Sequence, residues 1–105
     1  MADRAVDETP ELRRLRRRID ALDRKIVALL NERAELGREV GRAKATAGRR
    51  AIRDAERERE VLLRVTMANT GPMPQADLLG IYRRLMAATR ALEARARERE
   101  TREPR

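Results

Sequence analysis

Three cations border or interrupt an apolar helical seam at positions where uncharged side chains are expected. Arg33 occupies a seam position, whereas Arg16 and Lys44 each directly follow a seam residue. Burying an unpaired guanidinium is costly, so Arg33 needs either a carboxylate partner or an anionic ligand. Arg16 and Lys44 could equally be flanking residues whose charged ends reach solvent. If these three cations line one cavity, the cavity is suited to bind a small anion.

Other polar residues face inward on the later part of the chain. Glu58 is on the inner side of a second predicted helix, where an ion pair with Arg57 or Arg33 would give it a purely structural role. Thr89 and Glu93 are one helical turn apart on the apolar stripe of a third predicted helix. A threonine at such a position is easily bonded to its own helix backbone.

The main scaffold for these candidates is one long helix from about Leu12 to Ala43. Its apolar or small residues alternate in steps of three and four, which is the heptad pattern of a coiled coil. The seam consists of Leu12, Leu15, Ile19, Leu22, Ile26, Leu29, Leu36, Val40 and Ala43. At 1.5 Å per residue the helix spans roughly 48 Å, too long for the remainder of the chain to cover. The seam therefore predicts a partner chain.

An antiparallel second copy would bring the distant cations together. Lys44 is about 16 Å along the helix axis from Arg33, whereas Arg16 is roughly 42 Å from Lys44. In a symmetric antiparallel pair, Arg16 of one chain lies opposite the stretch between Arg33 and Lys44 of the other. The dimer would have two equivalent cationic pockets, each built from both chains. Gly37 and Gly41 are expected to leave space beside each pocket.

Start and stop signals divide the chain into three helices. Thr9 followed by Pro10 starts the long helix, because a hydroxyl caps it and proline suits its first position. Asp54 caps a second helix over about 55–68, and a third begins at Pro74 or Gln75. No strand pattern occurs. The predicted fold is all-α, with one very long helix and two shorter ones in an antiparallel homodimer.

The same signals predict one domain with charged ends. Residues 1–9 are predicted to be a disordered lead, and residues 10–95 a helical domain. Within that domain, 49–53 is predicted to be a loop. Residues 96–105 are nearly all charged and are predicted to be a solvated, fraying tail.

Composition excludes several classes of function. The chain has 105 residues, 42% of them charged, and its only aromatic residue is Tyr82. It has no His and no Cys, so the usual general base and thiolate ligands are absent, and we expect no metal and no cofactor. No apolar run approaches eighteen residues, so we expect a cytoplasmic protein that does not bind membranes. The net charge of +8 favours an anionic partner, either nucleic acid or a small polyanion.

The chain resembles the all-helical class of chorismate mutase over roughly residues 11–95. Three stretches carry the resemblance: LRRLRRRIDALDRKIVALLNERAELGREVGRAK (12–44), IRDAERERE (52–60), and NTGPMP (69–74) with IYRRLMAATRALE (81–93). The resemblance implies an intertwined dimer of three-helix protomers. The NTGPMP turn is most similar to mutase domains fused to the first enzyme of the shikimate pathway, which makes such a synthase a possible partner.

The resemblance also implies which cations act. Arg33 matches one carboxylate-binding arginine of the family. Arg16 matches the other, which the partner protomer contributes. Lys44 matches the lysine that donates to the ether oxygen of the substrate.

Five further residues match the family's substrate-binding positions. Glu58 and the backbone of Asp54 match groups that bind the substrate hydroxyl, and Arg57 matches an arginine that supports the site. Thr89 stands where serine is common. Glu93 stands where many members have glutamine, and this is the one departure that affects the chemistry.

The implied reaction is the rearrangement of chorismate to prephenate in phenylalanine and tyrosine biosynthesis. It is unimolecular and pericyclic, so it needs no nucleophile, no metal and no net proton transfer. Two arginines can clamp the two carboxylates of the dianion, and a lysine can stabilise the charge that develops on the ether oxygen.

Three alternatives remain open from the sequence. One is an isochorismate pyruvate lyase, which shares the fold and the cationic site. Another is a weak mutase that depends on a partner synthase. The third is a basic coiled-coil protein that binds nucleic acid; against it, the chain lacks aromatic stacking residues and interleaves acids with its cations.

Overall fold

A computed structural model describes residues 8–48 and 54–102, which form three helices and no strand. Helix α1 spans Pro10–Thr46, α2 spans Ala55–Ala68 and α3 spans Gln75–Arg102. The all-α prediction of one long and two shorter helices is confirmed. In the part of the chain that is described, none of the helices is long and apolar enough to cross a membrane.

Helix α1 begins and ends where its local signals predict. The Leu12 N–H donates to Oγ1 of Thr9 at 3.1 Å, so the threonine hydroxyl satisfies one of the free donors of the first turn. The helix ends at Thr46, and Gly48 follows with a φ of +73°, in the left-handed region that glycine adopts without strain. The predicted loop at 49–53 and the first seven residues of the predicted lead lie outside the described residues.

Helix α2 has the predicted bounds because both of its ends are capped. The Asp54 carboxylate accepts from the Arg57 N–H at 3.0 Å, which confirms Asp54 as the N-cap. At the other end, Asn69 holds the turn into α3: its Oδ1 accepts from the Gly71 N–H at 3.0 Å. Its Nδ2 donates to the Met73 carbonyl at 3.1 Å and to the side chain of Gln75 at 2.9 Å. The turn is thereby fixed by one side chain.

Helix α3 is longer than the sequence predicts. It continues past the expected end of the helical domain to Arg102, and Ala96 is only 6% exposed. The expectation of a frayed end is therefore wrong for 96–102. Alanine, arginine and glutamate are strong helix formers, and no Gly or Pro interrupts them before Pro104, so charge alone does not end the helix.

The chain divides into two compact units within α1, after Arg33. The first unit contains the N-terminal part of α1. The second unit contains the rest of α1 with α2 and α3, and α2 packs against α3. Within 34–48 and 54–102, its buried residues are Gly37, Gly41, Met86, Glu93 and Ala96.

The predicted seam of α1 is exposed in the single chain. Ile19 and Leu22 are each 55% exposed, and Leu29 is 63% exposed. The other large seam residues that remain exposed are Leu15, Ile26, Leu36 and Val40. Exposed apolar rows of this length are typical of surfaces that contact another protein.

Candidate active site

The second unit contains a nearly buried ion pair between α1 and α3. Nζ of Lys44 donates to Oε1 of Glu93 at 2.9 Å, and the two side chains are only 12% and 10% exposed. A charge that is removed from water at this depth is tolerated only when an opposite charge lies beside it. The structure thus brings together two residues that the sequence singled out, 49 positions apart in the chain.

Two glycines of α1 allow the pair to form. A Cβ atom on Gly41 would lie 2.5 Å from the carbonyl oxygen of Glu93 and 2.8 Å from its Cα. A Cβ atom on Gly37 would lie 2.7 Å from Cγ2 of Thr89. The expectation that these glycines leave space beside a pocket is wrong, because α3 fills that space. Their role is to let α3 approach α1 closely.

We expect Gly41→Ala to destabilise the protein by about 1–3 kcal/mol, because the methyl group would push the Glu93 backbone away from α1. The same displacement should break the Lys44–Glu93 bond. The measurement is chemical denaturation of the variant and the wild type.

Gly80→Ala is the matched control. Nothing lies within 4 Å of a Cβ atom at Gly80, which is also helical. This substitution should stabilise α3 by up to about 1 kcal/mol through helix propensity alone. Equal effects of the two substitutions would show that the contact at Gly41 is not tight.

Glu58 has a partner that the sequence analysis did not identify. Nη1 of Arg90 donates to Oε2 of Glu58 at 2.5 Å, across the contact between α2 and α3. Arg57, one of the two partners that the sequence suggests, instead binds Glu60 at 2.6 Å on its own helix. A signal for Arg90 was present: it follows the buried Met86 by one turn, so it lies on the inner side of α3.

Asp54 and Thr89 use their side chains locally. Oδ1 of Asp54 caps α2, so a substrate contact by this residue would come from its backbone, as the resemblance implies. Oγ1 of Thr89 donates to the Leu85 carbonyl at 2.9 Å, which confirms the backbone-bonded arrangement expected for a helical threonine.

Arg16 and Arg33 belong to the first unit. The Arg16 guanidinium binds the carboxylate of Glu8, and its side chain is 56% exposed. Arg33 is half-buried. That these two arginines join Lys44 and Glu93 in one site remains a prediction. Across 8–48 and 54–102, no group of three or more His, Cys, Asp or Glu residues could hold a metal ion.

The Lys44–Glu93 pair has a defined chemical capacity. An ammonium has three donors, so Lys44 can bind more than one acceptor at the same time. In surroundings with little water, a fixed ammonium stabilises a negatively charged oxygen far more than it would in bulk solvent. The pair is suited to a reaction in which such an oxygen appears in the transition state.

Comparison with known proteins gives consistent matches. The family model "Chorismate mutase type II" matches residues 15–94. A bifunctional chorismate mutase/prephenate dehydratase from Aquifex aeolicus is 40% identical over 87 residues, which cover 79% of this chain and 24% of that protein. The protein of the same name from Escherichia coli K12 is 53% identical over 51 residues, which cover 49% of this chain and 13% of that one.

A solved structure extends the similarity to the fold. Form II of chorismate mutase from Thermus thermophilus superposes with a TM-score of 0.77 at 33% sequence identity. The match covers 81% of this chain and 96% of that chain. By contrast, the chain spans about a quarter of the length of the first curated relatives it matches.

Proposed function

This chain belongs to the type II chorismate mutase family, and on that premise we propose that it catalyses the rearrangement of chorismate to prephenate. The observation that carries the proposal is the nearly buried Lys44–Glu93 pair inside the matched region. We assign the activity to residues 10–95. The proposal does not extend to a dehydratase activity, because the chain spans only about a quarter of the bifunctional relatives.

The proposed mechanism depends on position and charge. One C–O bond breaks and one C–C bond forms within a single dianionic molecule, and negative charge develops on the ether oxygen. Lys44 donates to that oxygen, and the interaction strengthens as the bond breaks, so it lowers the barrier more than it stabilises bound substrate. Arg33 and the partner's Arg16 hold the carboxylates in the reactive conformation.

We also propose that the active protein is a homodimer with shared sites. The exposed seam of α1 supports a second copy as the partner, since burying it removes a long apolar row from water. Arg16 supports the sharing, because it lies near the end of α1 opposite to Lys44. An antiparallel pairing of two α1 helices would bring Arg16 of one chain to the Lys44 end of the other.

A synthase of the shikimate pathway is the protein partner that we propose. The turn over 69–74, held by the Asn69 side chain, supports this through its similarity to mutase domains fused to such an enzyme. Adding a purified synthase should raise the rate of the mutase reaction. An unchanged rate at saturating synthase would contradict the partnership and leave the mutase proposal intact.

We expect Glu93→Gln to raise kcat/KM for chorismate. A glutamine amide can donate to the ether oxygen, whereas the Glu93 carboxylate, which is ion-paired with Lys44, can only accept. A carboxylate at this position also repels the negative charge that develops on that oxygen. The measurement is steady-state turnover of chorismate at neutral pH by wild type and variant.

Glu98→Gln is the matched control, because it makes the same change at an exposed position of α3. It should leave kcat/KM unchanged. Equal kcat/KM values for wild type and Glu93→Gln would mean that Glu93 does not face the reacting oxygen.

The test of the proposed function compares two substrates. The purified chain is incubated separately with chorismate and with isochorismate, and the products are separated by chromatography. Prephenate from chorismate supports the mutase. Release of pyruvate from isochorismate, without conversion of chorismate, would make the chain an isochorismate pyruvate lyase.

A further inference from the structure

The second unit has a cavity of about 420 Å³ between the C-terminal parts of α1 and α3. Four arginines surround it over a floor of one leucine and one alanine. They are Arg38 and Arg42 from α1, Arg95 and Arg99 from α3, and beneath them Leu92 and Ala96. We call this the arginine cavity.

The arginine cavity is distinct from the proposed active site. Neither Lys44 nor Glu93 lines it. Arg38 follows the seam residue Leu36 by two positions, and Arg42 stands in the same relation to Val40. Two positions correspond to about 200° around a helix, so both arginines face away from the exposed seam. A second copy that covers the seam would leave the cavity accessible.

The two arginines of α3 are not neutralised by a carboxylate in the described ranges. Arg95 and Arg99 are exposed, and no ion pair joins either of them to a carboxylate in 8–48 or 54–102. Two guanidiniums one turn apart repel each other on a helix surface. They are therefore available to an anion.

The two arginines of α1 are only partly neutralised. Arg38 binds Glu35 at 3.0 Å, and Arg42 lies 3.8 Å from the same carboxylate. Glu100 is the one acidic residue that lines the cavity. Four guanidiniums thus face two carboxylates, and the difference of two is a net positive charge of two around one cavity.

We propose that the arginine cavity binds a small organic polyanion that has two or more carboxylate or phosphate groups. Planar guanidiniums bind either group through paired hydrogen bonds, and arginines from two helices fix the spacing between the groups. Leu92 and Ala96 provide an apolar floor for the carbon skeleton. Bound ligand would stabilise the chain by joining α1 to α3.

Citrate is a suitable probe because it combines three carboxylates with a small carbon skeleton. Binding is measured by calorimetry at constant ionic strength, with a thermal unfolding series in parallel. We expect saturable binding of one citrate per chain and a rise in Tm with citrate concentration. The double variant Arg95→Gln/Arg99→Gln should bind citrate about tenfold more weakly or worse.

The control changes the same charge elsewhere on the same helix. Arg83 and Arg84 are exposed residues of α3 outside the cavity. Arg83→Gln/Arg84→Gln should weaken citrate binding by less than about threefold, through general screening alone. Equal weakening by the two double variants, or no saturable binding to the wild type, would overturn the proposal.

Two further measurements locate the bound citrate. Citrate should bind equally well to Lys44→Met/Glu93→Gln, which removes the active-site ammonium and leaves no uncompensated charge between α1 and α3. A loss of binding in this folded variant would show that citrate binds at the active site, which would overturn the proposal. A short DNA duplex should not displace citrate at matched charge. If the duplex displaces citrate from the wild type, and Arg95→Gln/Arg99→Gln abolishes binding of the duplex, the cavity is part of a nucleic-acid surface and the proposal is overturned. Circular dichroism verifies that each variant is folded.

Discussion

Lys44→Met is expected to lower kcat by about 10²-fold or more, the scale of losing one donor to a developing oxyanion. Methionine keeps most of the side-chain volume and removes the ammonium, so the loss reports charge rather than shape. The measurement is steady-state turnover of chorismate by wild type and variant.

The structure adds a stability effect that the sequence did not predict. The sequence assigns no partner to Lys44, so from sequence alone its removal should change stability little. In the structure Lys44 neutralises Glu93, whose carboxylate would be left uncompensated and nearly buried. Lys44→Met should therefore destabilise the protein by about 3 kcal/mol.

The double variant Lys44→Met/Glu93→Gln separates the two effects. It leaves no buried charge, so its free energy of unfolding should return close to that of the wild type. Its kcat should remain low, because the ammonium is still missing. A double variant with wild-type turnover would mean that Lys44 is a structural residue only.

Arg16→Ala and Lys44→Ala are each expected to be nearly inactive, and mixing them should restore activity. If Arg16 acts across the dimer, a mixed dimer has one site with both lesions and one site with neither. Random exchange in an equimolar mixture makes half of the dimers mixed, so about a quarter of the wild-type activity should return. Turnover is measured before and after exchange.

The control for this experiment verifies that the two variants exchange subunits, which is followed with differently tagged chains. Arg16→Ala should remain folded, because the Arg16–Glu8 pair is exposed and such pairs contribute little to stability. If tagged subunits exchange and no activity returns, Arg16 does not contribute to the partner's site.

Local signals in the sequence were sufficient for most helix boundaries. Thr9 and Asp54 cap α1 and α2 as predicted, because a cap depends on residues only three positions apart. The predicted C-terminal end of α3 is wrong because a high density of charge does not by itself fray a helix. The burial of Ala96 depends on packing between helices, which local composition does not report.

The candidate site was predictable in its residue types but not in its contacts. Lys44 and Glu93 were singled out by their positions beside the apolar residues, their roles came from a resemblance, and the structure joins the two side chains directly. The Arg90–Glu58 pair was missed because its members are 32 residues apart and meet only when α2 packs on α3. The role of Gly41 was missed for the same reason, since the sequence does not show which element approaches a glycine.

The most direct test of the proposed activity follows the ultraviolet absorbance of chorismate in the presence of the purified chain. We predict that chorismate disappears faster than in the uncatalysed control, that prephenate is the product, and that Lys44→Met/Glu93→Gln reduces the rate by about 10²-fold or more. Disappearance of chorismate at the uncatalysed rate, or an equal rate with the folded double variant, would contradict the assignment of this chemistry to Lys44.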